Sequence, residues 1–165
     1  MPHDVVRLWE QLTLRAHGLY EHGLCERAVP LYEEARAMVL SAFHRWPAMD
    51  DALATLTVSH LNLSEALRGC GRVEAAVRTV LSIHASLLGA LADGRTPAAL
   101  RAAAASQLPA TLSALSRLDA CHGPMPELRR WLSAGWPPAV PAPAGTAPSS
   151  TRSTPPAPAG PRRLH

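Results

Sequence analysis

The chain has 165 residues, enough for one compact domain and too few for two ordinary ones. Its formal charge is +3, from sixteen basic residues, every one of them arginine, against thirteen acidic ones. All the acids lie in residues 1–136, where thirteen arginines balance them; the excess comes from Arg152, Arg162 and Arg163. A neutral body lacks the clustered basic charge that nucleic-acid binding requires. The exclusive use of arginine, beside abundant Ala and Pro, reads as GC-rich coding rather than guanidinium chemistry.

The first segment, "MPHDVVRLWEQL", shows no basic stretch followed by an apolar one, and no run reaches the roughly 20 apolar residues of a membrane span, so a cytoplasmic protein that does not engage membranes is expected. Three cysteines without a C-x-x-C pair make no disulfide framework and are expected to be reduced.

Apolar residues recur at helical spacing in every segment up to residue 136, and none alternates as a strand does, which predicts an all-α body. The first helix carries Val5, Leu8, Leu12, Ala16 and Leu19 on one face and stops near Gly23. The second runs over 26–46 through Ala28, Tyr32, Ala35, Met38 and Ala42, and Pro47 ends it by disfavouring helical geometry at the residue before it. In the third, Asp50 and Asp51 sit where a helix N-terminus favours carboxylates, and Leu53, Leu56, Leu63, Ala66 and Leu67 carry the stripe to Cys70. The fourth holds Val73, Ala76, Val80, Ile83, Leu87 and Leu91 and ends near Asp93 and Gly94. Thr96 and Pro97 read as N-cap and first-turn residues of a fifth helix. Pro109 falls inside it, but the unbroken spacing of Leu108, Leu112, Leu115 and Leu118 favours one bent helix over two. A short sixth helix, 125–133, follows Gly123. Trp9, Tyr20, Tyr32, Phe43 and Trp46 fit a core, and Trp131 and Trp136 are placed to cap its end.

Residues 137–165 change to Pro, Ala, Ser, Thr and Gly, with nine prolines. So little apolar surface cannot offset ordering entropy, and the segment is expected to be a disordered, proline-rich tail, dispensable for folding.

The chain repeats. Setting Ala28 on Ala76 places Gly23 on Gly71, Ala16 on Ser64, Leu19 on Leu67, Tyr32 on Val80 and Ala35 on Ile83. A third, shortened copy, "LSRLDACHGPMPELRRWL", aligns through Gly123 with Leu128 at the small position. A small residue, a larger one, a turn glycine and then Ala-x-x-x-large on the return helix resembles the tetratricopeptide pattern. Spacings of 48 and 52 between the glycines, against about 34 in the common repeat, and the Leu61-Asn62 pair before the turn, are similar to the longer-helix variety of kinesin light chains. The resemblance implies a short right-handed α-solenoid of about three antiparallel helix pairs over 1–136, and a protein-interaction adaptor or chaperone-like module. Its concave groove binds a peptide or helix of a partner, and no cofactor is implied.

That family's concave surface comes from the first helix of each pair. By alignment it maps to Thr13, His17, Tyr20, Leu61, Asn62, Glu65, Arg68 and Arg117. Asn62 and Arg68 suit the backbone and carboxylates of an extended peptide; the plainer reading pairs Arg68 with Glu65 one turn back. Thr13 and His17 stand where some chaperone-binding members have the Lys and Asn that clamp a terminal carboxylate, which argues against that partner class.

No zincin, nucleophile-elbow, Walker or dinucleotide motif occurs, and adjacent carboxylates such as Glu33-Glu34 diverge on a helix, so no enzyme is expected. Cys25, Cys70, Cys121, His22 and His122 fall at the turns and would share one edge. Helices pack about 8–10 Å apart whereas zinc needs ligands within ~2.3 Å, so at most Cys70, Cys121 and His122 would converge, and no metal site is expected. A metal- or redox-responsive protein and a self-assembling scaffold, dimerising through a solenoid end, are the alternatives to the adaptor.

Overall fold

The computed structural model describes residues 2–133, with side chains detailed for 4–126 and 128–130. The expected tail, Trp136 and the side chain of Trp131 lie outside the described residues. Within them the chain is all-helical: α1 (Pro2–Glu21), α2 (Cys25–Ala42), a 3₁₀ turn (Phe43–Arg45), α3 (Met49–Gly69), α4 (Val73–Ala92), α5 (Ala98–His122) and α6 (Pro126–Ser133).

Short connections force successive long helices to run antiparallel, and α1 to α5 pack in chain order, each on the next. In addition α3 packs against α5, which makes it the central element. Its burial shows in its side chains: Leu53, Leu56, Leu63, Ala66 and Leu67 are buried, and so are Thr57, Ser59, His60 and Ser64. The polar groups are satisfied close to home. Thr57 donates to the Leu53 carbonyl at 2.9 Å, and His60 Nδ1 lies 2.8 Å from the Leu56 carbonyl. Ser64 reaches across to the Ala76 carbonyl of α4 at 3.0 Å. Such i to i−4 bonds let a helix carry hydroxyls into a core without orphaning them.

Glycine closes three of the turns. Gly23, Gly71 and Gly123 have φ of 73°, 75° and 78°, a left-handed conformation costly for residues with a Cβ. At the first two the hydrogen bonding is the same. Gly23 and Leu24 donate to the Tyr20 and Leu19 carbonyls, and Gly71 and Arg72 donate to the Arg68 and Leu67 carbonyls, all at 2.8–2.9 Å. This is the Schellman arrangement, in which the two N–H groups past the helix satisfy its last carbonyls. The register that sets Gly23 on Gly71 therefore corresponds to one backbone turn used twice. Ala28 and Ala76, paired by that register, are both fully buried, as are Ala16 and Ser64 nearly so.

Two core clusters follow. One lies toward the glycine turns and joins Ala16, Tyr32, Leu63, Leu67, Val80, Leu115, Leu118 and Leu128. The other lies toward the opposite loops around Val39, Leu53, Leu56, Ile83 and Leu87, flanked by Trp9, Phe43 and Trp46.

Several expectations need correction. Leu8 is 47% exposed, because α1 is covered on one side only; Trp9 turns inward instead and donates from Nε1 to Ser59 Oγ at 2.9 Å. Helix α2 stops at Ala42, and Val39 rather than Met38 is its deeply buried member. Of the five aromatics placed in the core, only Tyr32 is fully buried. Pro97 is itself the N-cap of α5, with extended ψ and no side-chain capping bond, while the Thr96 carbonyl accepts from Arg101 at 2.8 Å. As expected, Pro109 lies inside a single α5 and does not divide it in two. Helix α4 is long and apolar enough to cross a membrane by length and composition, contrary to the reading of the sequence. Its apolarity has a local cause, since it is packed between α3 and α5 and buries Ala76, Val77, Val80, Leu81, Ile83 and Leu87.

Candidate functional site

Leu61, Glu65 and Arg68 are spaced four and three residues apart on α3, so they share one face of that helix. Arg117 and Cys121 share a face of α5 for the same reason. Because α3 and α5 pack together, the two faces meet in a pocket of about 220 Å³ lined by Leu61, Ser64, Glu65, Arg68, Ala114, Arg117, Leu118 and Cys121. Four of the eight residues assigned to the groove from the sequence are among them.

A fifth joins through its neighbours. Tyr20, at the end of α1, donates from its hydroxyl to Glu65 Oε1 at 3.1 Å. Its ring lies over Gly69 so closely that a Cβ added there would sit 2.8 Å from Tyr20 Cε2. Glu65 in turn accepts from both Nε and the terminal nitrogen of Arg68, the former at 3.1 Å to Oε2. The plainer expectation for Arg68, a pair with Glu65 one turn back, therefore holds. Arg68 hydrogen bonds pull the Glu65 carboxyl below its usual range against the opposing effect of partial burial, and Arg68 itself is raised. Burial, then the bond to Glu65, raises Tyr20. The trio Tyr20–Glu65–Arg68 thus ties the end of α1 to the last turns of α3 with its charges fixed.

Arg117 faces this trio differently. It makes no hydrogen bond or ion pair with the described residues, and its charge adds a little to the lowering of the Glu65 carboxyl. Two guanidinium groups against one carboxylate leave the pocket rim with one net positive charge.

The other three predicted residues do not reach the pocket. Thr13 and Asn62 are half-buried elsewhere on their helices, and His17 is exposed beside Glu21, 3.1 Å away. Ser64, Ala114, Leu118 and Cys121 were missed. Cys121 stands two residues before its glycine, as Gly69 does, but which side of α5 meets α3 is not written in the α5 sequence. A larger depression, about 570 Å³, lies between the start of α4 and the α5–α6 connection, lined by Val73, Val77, His122, Met125 and Arg130 among others; none of the groove residues borders it.

The thiols are also distributed otherwise than expected. Among the described residues no group of three or more His, Cys, Asp or Glu side chains is placed to share a metal ion. Cys121 lines the pocket near Arg68, whereas burial, then the neighbouring Cys25 and Glu26, raise the Cys70 thiol at the end of α3. Antiparallel packing of α2 on α3 places the start of one on the same side as the end of the other, so Cys25 and Cys70 share the end of the molecule that carries the glycine turns.

These features define an all-helical protein with a small charged pocket between its third and fifth helices. Residues 7–135 match the family described as "Protein of unknown function (DUF2753)", and the chain belongs to that family. No curated protein and no solved structure matches it.

Proposed function

We propose that the helices form a short tetratricopeptide-like solenoid and that the protein is an interaction adaptor. The observation that carries this is the convergence of Leu61, Glu65 and Arg68 from α3 with Arg117 from α5 around one pocket. At about 220 Å³ it is smaller than the roughly 300–1,000 Å³ typical of small-molecule sites, and suits a single side chain of a partner protein. The identical glycine turns at Gly23 and Gly71, and the packing of α3 on α5 one pair further along, support the solenoid reading. Fixed charges at the rim supply orientation, and Leu61 and Leu118 supply the apolar contact.

The test is comparative capture of partners with the wild-type chain and with Arg68→Ala/Arg117→Ala. A protein retained by the wild type and lost from the double variant, with unchanged helical circular dichroism, is expected. Equal recovery from both would exclude this pocket as the docking site. Self-association is the competing reading, favoured by the 70% exposure of Leu14 on α1, the first helix of the stack. Sedimentation would then show a dimer that Leu14→Glu dissociates.

A further inference from the structure

The third helix pair is unequal. In the first two pairs a return helix of 18 or 20 residues follows a helix of 20 or 21, whereas α6 has 8 residues against the 25 of α5. At about 1.5 Å per residue α6 spans roughly 12 Å beside a helix about 37 Å long, so about 25 Å of α5 has no return helix. Leu128 joins the core cluster that holds Leu115 and Leu118, which sets α6 toward the end of α5 and leaves its earlier turns uncovered.

The sides of α5 meet different surroundings. Thr111 and Leu115 turn inward, and the Thr111 hydroxyl lies 2.7 Å from His84 Nδ1 on α4. Gln107 and Ala114 line depressions shared with α3. Ala105, Pro109, Leu112 and Ser116, spaced four, three and four residues apart, share the remaining side, and all are exposed, Leu112 at 47%. Residues 102–116 contain no charged side chain, so this strip is uncharged where a water-facing helix surface ordinarily carries charge.

The chain runs on from Ser133, the end of α6, to His165. Its stretch from Trp136 to Ala144, "WPPAVPAPA", is also uncharged, and charge returns only at Arg152. Proline holds φ near the polyproline-II value, so such a segment loses little entropy on docking. At about 3.1 Å per residue it reaches about 28 Å, close to the length of α5 left without a return helix.

We propose that residues 136–144 lie as a polyproline-II segment along the exposed side of α5, with Trp136 on Leu112 and Val140 toward Ala105, and close the stack in place of a full return helix. Neither surface has a charge to desolvate, and attachment to α6 gives the segment a high effective concentration at α5. The expectation of a dispensable tail is thereby narrowed to residues 145–165, which hold all the Arg, Ser and Thr residues of the tail.

The test is nuclear magnetic resonance on the full chain, with a second sample that mixes isotope-labelled and unlabelled chains. Nuclear Overhauser contacts are expected from the Trp136 indole and the Val140 methyls to the methyls of Leu112 and Ala105, arising within one chain. Leu112→Glu puts a charge at a position already exposed and should abolish them with helical circular dichroism unchanged, whereas Leu112→Met should keep them. Absence of the contacts from the wild type, or their survival in Leu112→Glu, would overturn the proposal. So would contacts found only between labelled and unlabelled chains, which would assign the strip to a second copy.

Discussion

The two ends of the helical stack are closed in different ways. At one end α1 joins α2, and α3 joins α4, through a single left-handed glycine followed by a residue with nearly the same backbone angles: φ −89°, ψ 50° at Leu24 and φ −87°, ψ 58° at Arg72. At the other end no two connections are alike. A 3₁₀ turn and Pro47 lead into α3, whereas Asp93 folds the chain into α5 by accepting from the Arg95 backbone N–H at 2.9 Å and from its guanidinium at 3.1 and 3.2 Å. Backbone conformation sets the first kind of closure and side chains set the second. Only the first is repeated, and the larger core cluster and the charged pocket both lie on its side.

The strongest way to break that distinction is to overfill the repeated end. Ala28 and Ala76 are fully buried just inside the two glycine turns, so Ala28→Leu and Ala76→Leu should each cost about 1–3 kcal/mol in denaturant unfolding. If both substitutions are neutral, the register that pairs them is wrong.

Acid should weaken the body between the two ends through its buried histidines. His60 and His84 are 5% and 3% exposed, and burial lowers the pKa of each, with the nearby charge of Arg36 adding to the effect at His60. The folded state therefore binds the proton less readily than the unfolded chain. Their contribution is fully present above the unfolded value near 6.5 and is lost as pH falls below it, by up to about 1.4 kcal/mol per histidine for each pH unit. Thermal midpoints measured from pH 7.5 to 5 should fall. His84→Gln, which keeps a polar group near the Thr111 hydroxyl now 2.7 Å from Nδ1, should flatten that slope.

Glycine substitution contrasts the ends directly. Gly71→Ala meets no steric contact but must hold φ at 75°, and should cost about 1 kcal/mol. Gly94→Ala, in the loop closed by Asp93, has equal space and no left-handed requirement, and should be within about 0.5 kcal/mol of wild type. Equal losses would mean that backbone conformation does not distinguish the two closures.

The smallest effect is expected at the pocket. Glu65→Gln removes an ion pair whose side chains are 47% and 35% exposed, so stability should change by only a few tenths of a kcal/mol in urea titration. A clear loss would show that the Tyr20–Glu65–Arg68 link between α1 and α3 contributes more to stability than an exposed ion pair does.

The helices were legible because their apolar spacing and their breakers are local: Gly23, Gly71 and Gly123 mark turns whatever lies around them. Leu61, Glu65 and Arg68 could be placed together because one helix carries them at a spacing of four and three. What lies opposite them could not be read in the same way. The position of Cys121 beside Arg68, the overlap of Tyr20 with Gly69 and the inward turn of Trp9 each join residues far apart in the chain. Such contacts depend on how one helix is rotated and shifted against another, which the packing of the whole stack decides. Periodicity within a helix defines its apolar face but contains no coordinate for its neighbour. The amino-acid sequence by itself therefore determined the helices, their turns and the faces they present; only the tertiary structure decided which faces meet, because that choice is made by burial and close packing across the entire core.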